Sequence, residues 1–315
     1  MTYAQGGLIQ ATDYNTLIGT SPSSTINTLN TVWAVGSGSA GYGQTAVSSV
    51  SATSVVTATQ WASLINSLNS TLTHQAGSGS GISAPTAGTT INYLSTLTSS
   101  ITTAYTNRLT FASNSAVTVG SGLAYAAWTS GSTSSTLTRS FGARATFASA
   151  DQARYFFNAG GRLKFNITGT SDAVARSTAA LALLNNMGGV ALFAANTNGG
   201  RTGTGGTAGT NDTTKGYYTS TNANVNIIAV TSTTGAYTTD TGTIAVKTNG
   251  LQGSNNDNGT QIEFWCTINS TSGANAGSLS FDDSLSLTPT VSIDISYPET
   301  TNLSNTWGAV TISQL

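Results

Sequence analysis

The hydrophobic pattern changes its period between residues 147 and 168, and this change constrains the fold more than any other feature of the chain. Apolar residues first recur at helical spacing, at Ala153, Phe156 and Phe157. A pair of glycines follows and can end a helix, because glycine tolerates the left-handed conformation at that position. The next residues alternate between apolar and polar, as in a half-buried strand. We therefore predict a short helix over 149–159 that leads directly into a strand.

Most of the remaining C-terminal sequence has the pattern of short strands separated by turns rich in glycine and asparagine. A second helix is predicted over 172–187, where another pair of glycines provides a stop. The predicted fold class is α+β: a small helical N-terminal unit followed by a mainly antiparallel β domain that carries helices near 149–159 and 172–187. The predicted strands are 109–119, 123–128, 136–147, 163–167, 190–195, 217–219, 225–231, 243–248, 261–268, 285–287, 290–297 and 307–312.

A helical motif occurs twice near the N-terminus, 47 residues apart. Residues 11–18 and 58–65 share the pattern Ala-Thr-polar-aromatic-x-hydroxyl-Leu-Ile. In each copy the threonine (Thr12 or Thr59) can cap a helix, and the aromatic residue, Leu and Ile fall on one helical face. The second helix is predicted over 59–73. The motif is either a true duplication or a capped helix start that recurs by chance.

A glycine-rich loop lies between the two copies of the motif. We expect Trp33, Tyr42 and Gln44 to anchor this loop. Aromatic anchors dominate protein interfaces, so one interpretation is a docking loop that inserts into a neighbouring subunit. The other interpretation is a loop that its own aromatic residues pin locally.

Composition suggests where the N-terminal region is divided. Residues after the second helix are rich in Ser and Gly, which is typical of a linker. Apolar residues then recur at a period close to 3.5 from Ile91 to Tyr105, which predicts a helix that is either the third helix of a small bundle or a short coiled coil. The predicted division is 1–77 as a helical anchoring or docking unit with an internal repeat, 78–108 as a linker plus connecting helix, and 109–315 as the β domain.

Charged residues make up only 7% of the 315 residues, against roughly 25% in an ordinary soluble domain. This composition suits surfaces that face other subunits, and it does not suit nucleic-acid binding, which needs clustered Lys and Arg. Basic residues outnumber acids over 139–176, and acids outnumber basic residues over 240–299. These segments are either a scatter of charge within one fold or complementary patches that meet between subunits.

Few residues are suited to catalysis or metal binding. His74 is the only histidine and has no Cys, Asp or Glu nearby in sequence, so we expect it to cap a helix or lie on the surface. Cys266, the only cysteine, lies in a strand-like run and is expected to behave as a small apolar core residue. We therefore predict that the chain is not an enzyme and has no catalytic, cofactor-binding or metal site.

Two polar segments resemble ligand-binding loops only superficially. The Gly/Thr/Asn segment 196–214 lacks the Gly-Lys-Ser/Thr ending of a phosphate-binding loop and is expected to be a mobile, exposed tip. Such tips carry recognition in many proteins, so contact with a host surface is a hypothesis for this segment. The Asn-rich turn 255–259 offers oxygen donors but not the spacing of a calcium-binding helix-loop-helix. No run of about 18 apolar residues is present, so we expect no membrane insertion.

Two segments resemble a known family. FASADQARYFFNAGGRLKF (147–165) and GYGQTAVSSVSATSVVTATQWASLINSLNSTLTHQ (41–75), about a sixth of the chain, resemble virion structural proteins of tailed bacteriophages, especially phages of cyanobacteria and other aquatic bacteria. The resemblance implies a non-enzymatic component of the extracellular virion, tail-associated or a fibre. A head decoration or neck protein, or a non-viral surface adhesin or filament subunit, is the alternative.

The resemblance implies other copies of this chain and other virion proteins as partners, and a host surface is a further hypothesis from the segment 196–214. From the charge content and the lack of a long apolar run, neither nucleic acid nor a membrane is expected as a partner. If the segment over 91–105 forms a coiled coil, the homo-oligomer is expected to be a trimer or a dimer.

Overall fold

The computed structural model of the chain describes residues 9–19, 28–131, 135–197, 200–250, 259–271 and 284–315. Within these residues six α-helices and twelve mostly antiparallel strands in two sheets confirm the predicted α+β class. The helices are α1 (Ala11–Ile18), α2 (Leu29–Trp33), α3 (Ala58–Ala76), α4 (Leu94–Thr106), α5 (Ala150–Asn158) and α6 (Ala175–Met187). The strands are β1 (Asn114–Thr118), β2 (Leu123–Ala124), β3 (Trp128–Ser130), β4 (Leu137–Thr146), β5 (Arg162–Ser171), β6 (Gly189–Leu192), β7 (Thr207–Asn211), β8 (Val225–Thr231), β9 (Thr241–Thr248), β10 (Gln261–Ser270), β11 (Leu285–Pro298) and β12 (Thr311–Gln314).

The contacts divide the chain into two compact units, each built from three separate segments of the sequence. The helical unit consists of Met1–Ala116, Asp151–Gly161 and Tyr297–Gly308, and the β unit consists of Val117–Ala150, Arg162–Ser296 and Ala309–Leu315. The sequence had predicted one domain over 109–315. The short helix α5 and the segment near the C-terminus instead group with the N-terminal helices.

The helical unit buries the apolar stripes from which its helices were predicted. On α3 the buried side chains include Trp61, Leu64, Ile65, Leu68 and Leu72, and on α4 they are Leu94, Leu97, Ile101 and Ala104. Since α4 packs on α2 and α3, the interpretation of this helix as the third helix of a bundle is confirmed. The coiled-coil alternative is wrong, because its seam is buried inside this chain.

The two copies of the repeated motif begin two residues earlier than predicted. Neither Thr12 nor Thr59 is a cap, because α1 starts after Gln10 and α3 starts after Thr57. Gln10 and Thr57 are again 47 residues apart, so the structural repeat is longer than the sequence motif.

Side chains at equivalent positions of the two copies make equivalent contacts. The Asp13 carboxylate accepts a hydrogen bond from the backbone N–H of the α1 cap at 3.2 Å, and Gln60 Oε1 accepts one from that of the α3 cap at 2.8 Å. In both helices the third residue therefore closes the first turn. The aromatic residues Tyr14 and Trp61 pack edge to face, with ring centroids 5.4 Å apart.

The β unit is a sandwich of two sheets. In sheet A the strand order is β1-β11-β5-β6, with β2 and β3 also paired to β11; in sheet B it is β12-β4-β10-β9-β8-β7. Phe165 of sheet A stacks on Phe264 of sheet B with ring centroids 5.3 Å apart, so these residues mark the interior between the sheets. Helix α6 packs on β5 and on β8, β9 and β10. The fully buried Phe141, Leu163, Ile228, Ile244 and Ile293 come from strands of both sheets.

Several strand predictions need correction. Predicted strands 285–287 and 290–297 form one continuous strand, β11, which passes through Pro289. Residues 217–219 form a 3-10 helix. The segment predicted as a loop over 196–214 contains the edge strand β7, which pairs with β8. The final strand begins only at Thr311, after a loop in which Trp307 is buried.

Candidate functional site

The glycine-rich loop between α2 and α3 is anchored by Tyr42, whose side chain is fully buried. The Tyr42 hydroxyl donates a hydrogen bond to the carbonyl of Arg108 at 2.9 Å and accepts one from the Gln75 amide at 2.9 Å. The buried Gln44 donates from Nε2 to the carbonyl of Ser304 at 3.0 Å. Local pinning is therefore confirmed for Tyr42 and Gln44. The docking interpretation is wrong for these two anchors, because both are enclosed by their own chain.

Two polar side chains of α5 bind the carbonyl groups of this loop. The Arg154 guanidinium donates to the carbonyls of Val35, Gly38 and Ala40 at 3.2, 3.3 and 3.0 Å. Asn158 donates to the carbonyls of Gly38 and Gly41 at 3.3 and 3.0 Å. Because a tight loop cannot pair these carbonyls with its own backbone, the α5 side chains supply the hydrogen bonds that buried carbonyls need. The sequence predicted the apolar face of α5 but not this polar one.

His74 and Glu299 form a buried pair within the helical unit. His74 Nδ1 lies 2.9 Å from Glu299 Oε1, and the two residues are only 1% and 8% exposed. The expectation that His74 caps a helix or lies on the surface is therefore wrong. The other oxygen of Glu299 accepts hydrogen bonds from the backbone N–H groups of Thr301 at 2.6 Å and Asn302 at 3.0 Å.

Burial and hydrogen bonding set the charge states of this pair. Burial holds the pKa of His74 below its ordinary value, although the nearby carboxylate opposes this shift. Burial alone would raise the pKa of Glu299, but the hydrogen bonds from Asn302, His74 and Thr301 outweigh it and lower that pKa. Near neutral pH the imidazole is therefore neutral and donates its Nδ1–H to an ionised carboxylate. A histidine and a carboxylate can serve as an acid/base pair, but a substrate would need access to them, and both are enclosed.

The chain that follows the glycine-rich loop buries every third residue, at Gln44, Val47 and Val50. A period of three is that of a polyproline II helix, which has no internal hydrogen bonds. Side-chain amides supply the missing partners. Asn30 exchanges two hydrogen bonds with the backbone of Val47, each 2.9 Å long, and Asn15 exchanges two with that of Val50, 2.8 and 2.9 Å long.

A groove of about 370 Å³ runs between this extended segment and α3. Its lining residues are mainly hydroxyl- and amide-bearing: Tyr14, Thr45, Ala46, Val47, Ser48, Thr59, Gln60, Ser63 and Ser67. The half-buried Trp33, the third predicted anchor, fixes one rim by donating from Nε1 to the Thr45 carbonyl at 2.8 Å. The Tyr14 hydroxyl donates to the Gln60 carbonyl at 3.1 Å, and burial raises the pKa of Tyr14 to about 12. The groove lining is therefore uncharged near neutral pH.

The outer face of sheet B carries charged, aromatic, hydroxyl and amide side chains. Strand pairing aligns outward side chains of β4, β10 and β9 in four rows, and we call this surface the Trp265 face. The rows, in that strand order, are Arg144, Glu263 and Lys247; Gly142, Trp265 and Ala245; Ser140, Thr267 and Thr243; Thr138, Asn269 and Thr241.

The charged row of the Trp265 face is an ion triad. Glu263 lies between two cations, with Arg144 Nη2 at 2.6 Å from Oε1 and Lys247 Nζ at 3.0 Å from Oε2. Trp265 Nε1 also donates to Glu263 Oε2, at 3.1 Å. These hydrogen bonds outweigh burial and lower the pKa of Glu263. Opposite charges from the basic segment over 139–176 and the acidic segment over 240–299 thus meet within one chain.

The hydroxyl rows of this face are linked across the strands. The Ser140 and Thr267 hydroxyl oxygens lie 2.7 Å apart. Asn269 accepts a hydrogen bond from the Thr138 hydroxyl at 2.8 Å and donates one to that of Thr241 at 3.3 Å. The face therefore presents an ordered array of hydroxyl and amide groups beside a single indole ring.

A second buried arginine, Arg176, lies in the first turn of α6. It donates to Ser270 Oγ and to the Ser270 carbonyl, both at 2.9 Å, and to the Ser135 carbonyl at 2.8 Å. Asp240 accepts a hydrogen bond from the Thr271 N–H at 2.7 Å, and burial raises the pKa of this carboxyl. Cys266 is buried as predicted, and burial also raises the pKa of its thiol.

Residues 198–199 and residues 255–258 of the predicted Asn-rich turn 255–259 lie outside the described residues. In the part of the chain that the structure describes, no group of three or more His, Cys, Asp or Glu side chains is arranged to hold a metal ion. Among the same residues, no helix combines the length and the apolarity that a membrane span requires.

Comparison of the chain with protein-family models, with curated proteins and with solved structures finds no match.

Proposed function

We propose that this chain is a non-enzymatic structural subunit of a tailed-phage virion, tail-associated or a fibre, that assembles through contacts between copies and with other virion proteins. The observation that carries the proposal is the chemistry of the outward faces of the β sandwich. The outward residues of β11 are five serines and threonines and one acid: Ser286, Thr288, Thr290, Ser292, Asp294 and Ser296.

Such a face suits packing against another subunit. Short hydroxyl side chains lose little conformational entropy when they are covered, and they can form hydrogen bonds across an interface without the desolvation cost of burying charge. Strand β7 supports the same proposal, because every residue of this edge strand is exposed and none is charged. Unpaired backbone groups on an edge without charges favour pairing with another strand.

Four enclosed polar side chains that could do chemistry instead hold the fold, which supports a structural role. Arg154 and Arg176 bind backbone carbonyls, and His74 and Glu299 bind each other. Each of these side chains is enclosed, so its contribution is to stability and to the shape of the subunit.

Labelling of purified virions with antibodies against this chain, viewed by electron microscopy, tests the proposal. We expect label on the tail or its fibres. Label on the head or neck would support a decoration or neck protein instead, and absence of label from intact and disrupted virions would contradict a structural role. A non-viral surface protein would label the cell envelope of uninfected cells.

A further inference from the structure

We propose that the Trp265 face binds acidic carbohydrate, with the indole of Trp265 as the stacking platform and the charged row beside it as the site for a sugar carboxylate. A glycan-binding face is useful to a virion subunit and to a surface adhesin alike. The inference therefore does not depend on the virion assignment.

The half-buried indole of Trp265 is held in place by its neighbours on the sheet. Its neighbours on the two adjacent strands are Gly142 and Ala245, the smallest side chains in the four rows. A Cβ atom at Gly142 would come within 3.1 Å of both Trp265 Cδ2 and Leu315 Cδ1, so the indole and the Leu315 side chain both lie against the backbone there. The hydrogen bond from Nε1 to Glu263 fixes its orientation. A ring held in this way loses no freedom on binding, which favours affinity.

The charges around the ring specify the class of sugar. Arg144 and Lys247 are about a third exposed, at 34% and 33%, whereas the Glu263 carboxylate between them is only 10% exposed. Two outward cations thus share one enclosed anion, which leaves one net positive charge at the surface beside Trp265. An anionic ligand complements this charge, and arginine is well suited to paired hydrogen bonds with a carboxylate.

The rows on the other side of Trp265 supply hydrogen-bonding groups for sugar hydroxyls. Successive rows are two residues apart along the strands, roughly 7 Å, so the four rows extend roughly 20 Å along the sheet. The hydroxyls of Ser140 and Thr243 and the amide of Asn269 can each both donate and accept. A polysaccharide chain has the same alternation of apolar ring faces and hydroxyl groups along its length.

The first test is binding of the full-length protein to alginate, polygalacturonate and hyaluronan by affinity electrophoresis, with dextran and methyl-esterified polygalacturonate as neutral controls. We expect retardation by at least one acidic polymer, weakened by salt, and none by the neutral ones. No retardation by any acidic polymer would overturn the proposal. Equal retardation by the neutral polymers would overturn the acidic class of ligand.

Variants then locate the site on the polymer that binds. Trp265→Leu should weaken binding about tenfold or more, because aromatic anchors dominate interface energetics, whereas Trp265→Phe should keep most of the affinity. Lys247→Gln should weaken binding about two- to fivefold. The matched control, Lys215→Gln, lies in the loop after β7 and in none of the four rows, and it should leave binding unchanged.

Unchanged binding by Trp265→Leu would contradict the assignment of the site, as would loss of self-association in this variant without loss of binding. If Trp265→Leu does not fold, the indole N–H resonances of the wild-type protein provide the test. The resonance that is absent from Trp265→Phe should shift on titration with the acidic polymer. No shift of this resonance at saturation would also contradict the proposal.

Discussion

His74 Nδ1 and Glu299 Oε1 lie 2.9 Å apart, although 225 positions separate the two residues in the chain. The contact ties the C-terminal end of α3 to the segment that follows β11 inside the helical unit. Both partners are enclosed, so the protonation of this pair is linked to the stability of the fold.

Stability should fall as the pH drops below neutrality, and His74 should account for much of the loss. The folded protein holds the pKa of His74 below its ordinary value of 6.5, so the unfolded chain binds more protons in this range. The free energy of unfolding should therefore decrease between about pH 7.5 and about pH 5.5. Glu299, whose pKa is also lowered from 4.5, adds a further loss only at more acidic pH.

Urea unfolding of the wild type and of His74→Gln at these two pH values checks this prediction. Glutamine can still donate to Glu299 but does not titrate, so the variant should lose much less stability than the wild type over this interval. Equal losses in the two proteins would show that His74 is not the group responsible.

Removing the Arg154 guanidinium should destabilise the protein by about 2–4 kcal/mol, because the carbonyls of Val35 and Ala40 would lose this donor and that of Gly38 would keep only Asn158. Arg154→Met keeps most of the side-chain volume and removes the hydrogen bonds. The exposed Arg139 provides the control, since Arg139→Met should change the free energy of unfolding by no more than about 0.5 kcal/mol. Similar urea midpoints for the two variants would contradict the role of Arg154 in holding the loop.

Alanine substitutions at two glycines with similar φ angles can distinguish destabilisation by backbone strain from destabilisation by steric overlap. Gly41 has a φ of 93° and Gly88 a φ of 87°. A Cβ atom at Gly41 would come within 2.2 Å of the Val35 carbonyl oxygen, whereas nothing lies within 4 Å of one at Gly88. Gly88→Ala should cost about 1–2 kcal/mol from backbone strain alone, and Gly41→Ala should cost clearly more. Equal shifts of the thermal midpoint would mean that the loop relaxes freely.

Self-association should persist at high salt. The outward faces proposed for subunit contacts carry few charges, and salt screens only charged contacts effectively. Light scattering behind size exclusion should give the same oligomer mass at about 0.1 M and about 1 M NaCl. Dissociation at the higher concentration would instead favour complementary charged patches that meet between subunits.

Local sequence patterns were sufficient to predict the elements whose packing is local. The apolar residues from Trp61 to Leu72 recur at helical spacing, and those of β5 alternate with polar residues. Each pattern indicates one buried face, so the helix and the strand could be predicted from the period of the pattern alone. Helix starts were less predictable, because Thr57 and Thr59 are both good caps. Only the reciprocal hydrogen bonds of Thr57 with Gln60 decide between them.

The polar groups that matter most were not predictable, because their partners are distant in sequence. No sequence feature near His74 predicts its hydrogen bond with Glu299. Likewise, no feature near Arg154 predicts that it binds the carbonyls of a loop more than a hundred residues earlier. The alternation in β10 does place Glu263 and Trp265 on one face. The rows of the Trp265 face, however, require the register with two other strands.

The most direct test of the proposed structural role is quantitative mass spectrometry of gradient-purified virions from a phage whose genome is found to encode this chain. The account predicts that the chain co-sediments with the particles at a fixed ratio to the major capsid protein, and that this ratio survives a high-salt wash. Recovery of the chain only in the soluble fraction of the lysate, with none in the particle fractions, would contradict the account.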